Sequence, residues 1–398
     1  MRLRRLRSEV WVLTGEERNS HLPLSVCLYA TTQEYKSTLQ SLIFDSFQAT
    51  YLGRGWLWKA FRGLPPAAAG CSVVIAEVHE RHVKWMGKSS GIVIPAWVRG
   101  HVPLPRGHEV MKRFSIKNIL RKIRQQKLES EATRDAQVFD YFYHRMYVPY
   151  AKARFGDGAF VFPWDETKAK FDRGELVMVR QRGEYIAGEL IVYGEGNTAF
   201  MPLLGVLDGS WEIVAVGALA ATYEFALQHL EKRGCRTVDF GKTQAFLNDG
   251  VLRFKKKFGH VIAGGSEHKY LVSVTRDTRA ARAFLESNPF LFEHDGGLRG
   301  AVFVDQASPT PEVLLEVYKE QYQLGLLEIV VFFFSQDGPG GDDQPDPQRA
   351  WIPATDSAQR GPTYQVLAKA DYEPFLRRLG PLGIAAAVSI CEGGDRQR

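Results

Sequence analysis

The sequence predicts an α/β protein whose sheets are mixed, mostly antiparallel and flanked by helices. Residues 159–240 read as a helix, three antiparallel strands, a long helix and a further strand. Residues 298–334 read as strand, helix and fully apolar strand, the pattern of a parallel crossover unit. The length of 398 residues exceeds one ordinary core, so two or three domains are expected.

Taken in order, residues 9–70 mix a short strand over 10–13, a helical stretch over 32–42 and a Trp/Arg-rich segment over 51–59. There Trp56 and Trp58 stand beside Arg54, Lys59 and Arg62. They suit stacking on a base or a ring, although such residues more often cover the edge of a core. Residues 71–104 read as hairpin strands over 71–78, 83–86 and 91–95, closed by Pro103, Pro105 and Gly107.

A basic helix follows over 109–130, with Lys112, Arg113, Lys117, Arg121, Lys122, Arg124 and Lys127. Ile116, Ile119, Leu120 and Ile123 form its apolar stripe. The opposite face suits either a phosphate backbone or plain solvent. Over 134–156 the aromatics Phe139, Tyr141, Phe142, Tyr143, Tyr147 and Tyr150 sit at helical spacing, as core packing requires.

Trp164 to Thr167 opens a helix that ends near Gly174. Strands follow over 175–180 and 185–193, around a turn at Arg182 to Glu184, and a third over 198–206. A helix over 214–233 buries Leu219, Tyr223, Ala226, Leu227 and Leu230, and Gly234 caps it. Residues 236–240 form the next strand and 268–274 a further one. Beyond 280 the strand–helix–strand unit is followed by a Gly/Pro/Asp-rich loop over 336–349. The segments 364–368, 371–379 and 384–390 then repeat the unit, giving a small accessory α/β region.

Composition narrows the function. The net charge of +6 favours anionic partners such as nucleotides, phosphates, tRNA or acidic headgroups, though it is dilute over this length. Cys27, Cys71, Cys235 and Cys391 form no CxxC pair, so neither a disulfide framework nor a metal site is expected, and a cytoplasmic setting fits. No run reaches membrane-spanning length. The basic start at 1–7 lacks a following apolar stretch. It reads as a solvated terminus, with a peripheral membrane contact as the sharper alternative. No GxSxG, P-loop or HExxH supports a hydrolase, NTPase or zinc protease.

The chain is organised around Val238-Asp239-Phe240-Gly241-Lys242 and the segment Val251 to Gly259, joined by the turn signal Asn248-Asp249-Gly250. A buried strand ends in Asp and Gly and leads to a basic segment between two phenylalanines. The basic segment reads as a strand of a hairpin, whose alternation sends Lys255 and Lys256 to opposite faces; taken alone, it suits a plain surface hairpin equally well.

Gly183-Glu184-Tyr185-Ile186-Ala187-Gly188-Glu189-Leu190, the helix ending in Lys232-Arg233-Gly234-Cys235, then Val238-Asp239-Phe240-Gly241, Gly250 and Phe254-Lys255-Lys256-Lys257-Phe258-Gly259 resemble the C-terminal half of the Fem-type aminoacyltransferases. They are similar also to the cellulose-biosynthesis acetyltransferase group within the GCN5-related N-acetyltransferase (GNAT) superfamily. The resemblance covers roughly residues 110–275. It implies two GNAT-like domains in tandem: a divergent one over 1–108, connecting helices over 109–156 and a transferase domain over 157–279, with 280–398 as an appendage outside the family. Two departures stand out. Glu212 to Ala218 lacks the basic residue and paired glycines with which acetyl-CoA binders open the long helix, and the coiled-coil arm of some Fem proteins is missing.

The resemblance implies acyl or aminoacyl transfer, which needs an oriented amine, a route for its proton and stabilisation of the oxyanion. In this fold two central strands splay apart, here expected to be those over 198–206 and 236–240. Phe254 and Lys255 match the family's Phe-Lys pair near the reacting ester, with Lys255 expected to steady the oxyanion or the leaving hydroxyl. Asp239, before Gly241, is placed to take the proton, position the amine or cap the loop. Glu189 and Tyr193 lie on one strand face and are acid/base candidates, and Lys242 and Arg253 are candidates for substrate phosphates. The expectation is an acyltransferase with no tightly bound cofactor. Acyl-CoA or aminoacyl-tRNA would be its co-substrate, and an amine-bearing small-molecule, peptide or sugar precursor of the cell envelope its acceptor. The alternative is a non-catalytic module that recognises an anionic partner through the basic helix.

Overall fold

The computed structural model describes residues 7–30, 39–40, 42–61, 64–86, 91–156, 159–294, 296–306, 308–335, 351–352, 362–379 and 382–391. The first strands are β1 (Arg7–Glu17), β2 (Pro23–Ala30), β3 (Phe44–Trp56), β4 (Val73–His79) and β5 (Ile92–Pro95). Next come β6 (Trp97–Pro103), β7 (Leu128–Thr133), β8 (Gly174–Gln181), β9 (Glu184–Tyr193), β10 (Thr198–Val206), β11 (Thr237–Gln244) and β12 (Val261–Gly265). The last are β13 (His268–Val274), β14 (Phe290–His294), β15 (Gly297–Val304), β16 (Ile329–Phe334), β17 (Trp351–Ile352), β18 (Thr363–Val366) and β19 (Ile384–Cys391). The architecture is α/β, with mixed, mostly antiparallel sheets flanked by helices.

The chain divides into two compact units. One holds the described residues of 1–98, 243–252 and 264–398, the other those of 99–242 and 253–263. These limits differ from the domain bounds expected from sequence. The strand over 268–274, expected to close the second domain, pairs instead with β4 and β5. Its run Tyr270-Leu271-Val272 is buried on both faces, which suits a place between two neighbours.

The first unit contains two sheets. One has the order β3-β1-β2-β4-β13-β5, with β1–β2 antiparallel and β2–β4 parallel. The other has the order β14-β15-β16-β19-β18-β17. All six residues of β16, Ile329–Phe334, are buried, as a continuous apolar run in a central strand should be. The crossover from β15 through the helix Pro311–Gln321 to β16 is parallel, as the sequence pattern predicts. The strand–helix–strand repeat is present as β18, the helix Lys369–Leu379 and β19, but its strands are antiparallel: β19 lies between β16 and β18 and runs against both.

The second unit is built on one sheet of order β12-β6-β11-β10-β9-β8-β7. One face carries a continuous helix through Ala136–Tyr141, a π-helical middle Phe142–Tyr147 and Val148–Phe155. Phe139, Phe142, Met146 and Tyr147 pack there on Leu176, Met178, Leu190 and Leu203. The other face carries the helices Phe114–Gln125 and Ala218–Lys232, packed on Val177, Ile191, Ala199 and Met201. From Ala187 to Tyr193 the even residues of β9 therefore meet the aromatic helix and the odd ones, Glu189 included, face the long helix, whereas a register shift before Ala187 turns Tyr185 to the aromatic side and Ile186 to the other.

Several elements differ from expectation. Residues 83–86 are helical, within Glu80–Met86. Trp97–Pro103 forms a further strand, before the expected close at Pro103 to Gly107. The basic helix begins at Phe114 and ends at Gln125, and residues 128–133 then pair antiparallel with β8. The long helix is split by Gly217, whose φ of 101° ends the short helix Trp211–Val216 before Ala218 opens the main one. Most consequentially, the basic segment after Asn248 is a helix, Gly250–Lys256, and not a hairpin. Asp249 starts it by accepting from the Leu252 N–H at 2.8 Å, as an N-cap does. Most of the helix expected over 32–42 and the loop expected over 336–349 lie outside the described residues.

Candidate active site

The site is defined by two parallel strands that part. β10 and β11 pair only through Thr198↔Thr237, Ala199↔Val238 and Phe200↔Asp239. Beyond Phe200, β10 continues to Val206 along β9 alone, with no register partner on its β11 side. The register against β9 shifts between Phe200 and Leu203, a bulge that contains Met201 and Pro202. Proline is tolerated in an inner strand at such a point because no ladder donor is required of it. A strand without a neighbour presents backbone N–H groups to the gap, and backbone donors are what a developing oxyanion needs.

Glu189 faces this region from β9, in register with Leu204. It is 1% exposed, and its Oε2 has no hydrogen-bond partner in the protein. Burial pushes its carboxyl well above the usual range, and the nearby Lys255 ammonium only partly offsets this. Lys255 is itself 3% exposed and comes from the helix Gly250–Lys256. Its Nζ donates to the carbonyls of Lys242 at 3.1 Å and Gly241 at 3.4 Å. Those carbonyls point at the amine because Gly241 adopts φ 72°, which a side chain would strain.

His260 and Tyr223 complete the surroundings. Burial, then the charge of Lys255 and the influence of His101, hold the His260 imidazole down at about 3, so it is neutral across the physiological range. The ring stacks on Phe240 with centroids 6.0 Å apart. Tyr223, on the long helix, is pushed up by burial and by Glu189. Its ring meets Phe258 at 5.4 Å, Phe240 at 5.2 Å and Phe254 at 5.1 Å. Such pairs contribute about 0.5–1.5 kcal/mol each beyond burial, which fixes Phe254 as a wall residue.

The remaining sequence candidates are placed differently. Asp239 points to the sheet face away from Val238 and Phe240, whose side chains pack toward the long helix. Its Oδ1 accepts the Gly241 N–H at 2.6 Å and its Oδ2 lies 3.7 Å from Arg99. It lines a cavity of about 420 Å³ together with Arg99, His101, Thr198, Phe200 and Thr237. Tyr193 donates its hydroxyl to Glu175. Burial alone would raise the Glu175 carboxyl, but His229 at 2.6 Å, the Tyr193 hydroxyl and Arg233 at 3.2 Å hold it down at about 2. Tyr193 thus belongs to a polar network four residues along β9 from Glu189. Lys242 and Arg253 are exposed, and the Lys242 contribution near Lys255 is its carbonyl.

Of the sequence candidates, then, the structure brings Lys255, Glu189, Gly241 and Phe254 together, with Asp239 adjacent in sequence but on the other face. Sequence reading passed over His260 and took Tyr223 only as a buried helix residue. The usable signal was Glu189 itself: a carboxylate within Ile186-Ala187-Gly188-Glu189-Leu190-Ile191 is a charge in a core run, and such a charge has neighbours that explain it.

No protein-family model matches the chain, and no curated protein matches it. Among solved structures it is similar to FemX, at 13% identity over 65% of this chain and 83% of that one, with a TM-score of 0.36. It is similar to L-PGS from Bacillus licheniformis, at 11% identity over 54% and 72%, with a TM-score of 0.33. A GCN5-related N-acetyltransferase from Sphaerobacter thermophilus matches at 14% identity over 63% and 71%, with a TM-score of 0.31. Likenesses of this depth assign neither an activity nor a substrate.

Proposed function

We propose that the chain is an acyl- or aminoacyltransferase whose site lies where β10 and β11 part. The observation that carries this reading is the three-residue pairing of those strands, followed by a gap with the buried Glu189 carboxyl and the Lys255 ammonium beside it. An amine nitrogen bonds to the donor carbonyl carbon, and the bond from that carbon to the donor's oxygen or sulfur breaks. The nitrogen loses a proton and the departing atom gains one. Glu189, held in its protonated form by burial, gives its proton to the departing atom and regains one from the nitrogen. Backbone N–H groups of β10 and the Lys255 ammonium steady the charge on the oxygens. Roles of this kind contribute about 10²- to 10⁴-fold each.

The donor is an acyl-CoA or an aminoacyl-tRNA, and the acceptor an amine of a peptide, sugar or cell-envelope precursor. The resemblance in sequence favours the tRNA ester; the missing arm favours the smaller thioester. The tandem arrangement of two GNAT-like domains belongs to the same proposal. In its favour, each unit holds a sheet in which an antiparallel pair adjoins a parallel one: β1–β2 beside β2–β4, and β9–β10 beside β10–β11.

The test is a binding screen of acyl-CoAs against aminoacyl-tRNAs on the purified chain, followed by transfer assays of Lys255→Ala. Binding of one donor class and a loss of transfer of at least about a hundredfold support the reading. Full transfer by the variant removes Lys255 from the site, and the absence of any donor binding removes the transferase.

A further inference from the structure

The basic helix Phe114–Gln125 carries a second feature that the proposed chemistry leaves unused. Its inner side is fixed by Ile116 and Ile119, both buried. On its outer side Phe114, Lys117, Arg121 and Arg124 recur at helical spacing and form one exposed stripe. Phe114, at 85% exposure, is the most exposed of the large apolar side chains described. Between Val110 and Leu128 the sequence has seven Lys or Arg and no Asp or Glu. Among the described residues no carboxylate lies within ion-pair distance of Lys112, Lys117, Arg121, Arg124 or Lys127.

We propose that this stripe docks the protein on an anionic phospholipid surface, with Phe114 entering the headgroup region and the cations lying over the lipid phosphates. The partner follows from the chemistry. A row of cations without carboxylates seeks dense negative charge, and an exposed phenylalanine at its end gains free energy only by leaving water. A nucleic acid would answer the charges equally well. The stripe, however, holds one aromatic rather than a stacking series. Its flanking amides are also already engaged, since Arg121 donates to Asn118 Oδ1 at 2.7 Å and to Gln125 Oε1 at 3.4 Å. What remains is charge plus one apolar wedge, the pattern of an interfacial anchor. The inference stands whether or not the chain transfers acyl groups.

The experiment is vesicle flotation of the full chain. One set of vesicles is made of phosphatidylcholine alone, the other of the same lipid mixed with phosphatidylglycerol. Binding is expected only to the anionic set and is expected to fall steeply as salt is added. Each stripe cation contributes about fivefold, so Lys117→Glu/Arg121→Glu/Arg124→Glu lowers binding by at least about a hundredfold. Phe114→Ser lowers it roughly tenfold without changing its salt dependence. These four positions are exposed, so circular dichroism of the variants should match the parent. Equal binding to both vesicle sets, or anionic binding that survives the triple change, overturns the proposal. So does a short RNA hairpin that displaces the protein from vesicles at concentrations well below that of the accessible lipid.

Discussion

Replacing Glu189 by glutamine tests whether its carboxyl holds a proton at neutral pH. The folded state raises its proton affinity by burial, with an unpartnered Oε2. A raised acid binds its proton more tightly in the native chain than in the unfolded one. The linked stability is therefore fully present below the unfolded value near 4.5 and is lost as pH rises toward the folded value. Within that window each pH unit removes about 1.4 kcal/mol from the native state. A glutamine side chain cannot ionise, so Glu189→Gln avoids the loss. The stability difference between variant and parent should thus climb in the variant's favour from pH 5 upward, at about that slope, while changing little below pH 4. Urea unfolding at a series of pH values, with both proteins in the same buffers, measures it. A difference that stays flat from pH 4 to pH 8 would show that Glu189 titrates as an ordinary surface carboxylate, and its role as proton donor would go with it.

Arg106 forks onto Glu224 at 2.7 and 3.0 Å and reaches Glu231 at 3.0 Å, with the Arg106 and Glu224 side chains at 1% and 0% exposure. Arg106→Ala leaves Glu224 charged and buried and should cost about 3–5 kcal/mol in denaturant unfolding. His260 has the opposite pH sign to Glu189: its folded value, about 3, lies below its ordinary 6.5, so stability falls as pH drops through that interval. His260→Asn should flatten this acid limb by up to about 1.4 kcal/mol per pH unit, read from unfolding midpoints between pH 4 and 7. Phe258→Ala removes a fully buried ring stacked on Tyr223 and should cost about 3–5 kcal/mol by the same assay.

Much of the second unit was legible because its pattern is local. The alternation in 174–206 shows three strands, and the period of 218–232 shows a helix that buries Tyr223 and Leu227. The pairing of β13 with β4 and β5 was not legible, since strand order depends on contacts nearly two hundred residues apart and leaves no local trace. The segment around Lys255 was misread for a different reason. Three lysines between phenylalanines suit a hairpin or a helix, and the choice rests on Asp249 capping Leu252. That reversal matters for the site. A strand would have sent Lys255 and Lys256 to opposite faces by alternation, whereas the helix turns Lys255 inward onto two carbonyls and leaves Lys257 over the Phe254 ring at 5.5 Å. Asp239 illustrates a further limit: its alternation with Val238 and Phe240 was readable, but which face carries the chemistry was not.

The bulge at Met201 and Pro202 links the packing of this unit to its candidate site. By inserting a residue it keeps Ala199, Met201, Leu204 and Val206 toward the long helix and turns Leu203 and Gly205 toward the aromatic one. The same insertion occurs where β10 stops following β11, so it bends the strand as the gap begins. Gly205 then permits the aromatic helix to approach: a Cβ there would lie 2.6 Å from the Tyr147 nitrogen and 2.7 Å from the Met146 carbonyl carbon. Its register partner Gly188 is crowded chiefly by the Met178 sulfur at 2.6 Å and the Phe142 ring at 3.0 Å. Backbone cannot yield as a thioether can. Gly205→Ala should therefore cost at least about 1–3 kcal/mol, and Gly188→Ala clearly less. If the gap is the transfer site, Gly205→Ala also lowers transfer at temperatures where the variant remains folded, because lifting the helix moves the strand that supplies the backbone donors. Equal destabilisation by the two changes would mean that the helix does not rest on Gly205. Unaltered transfer by a folded Gly205→Ala would separate the bulge from the chemistry.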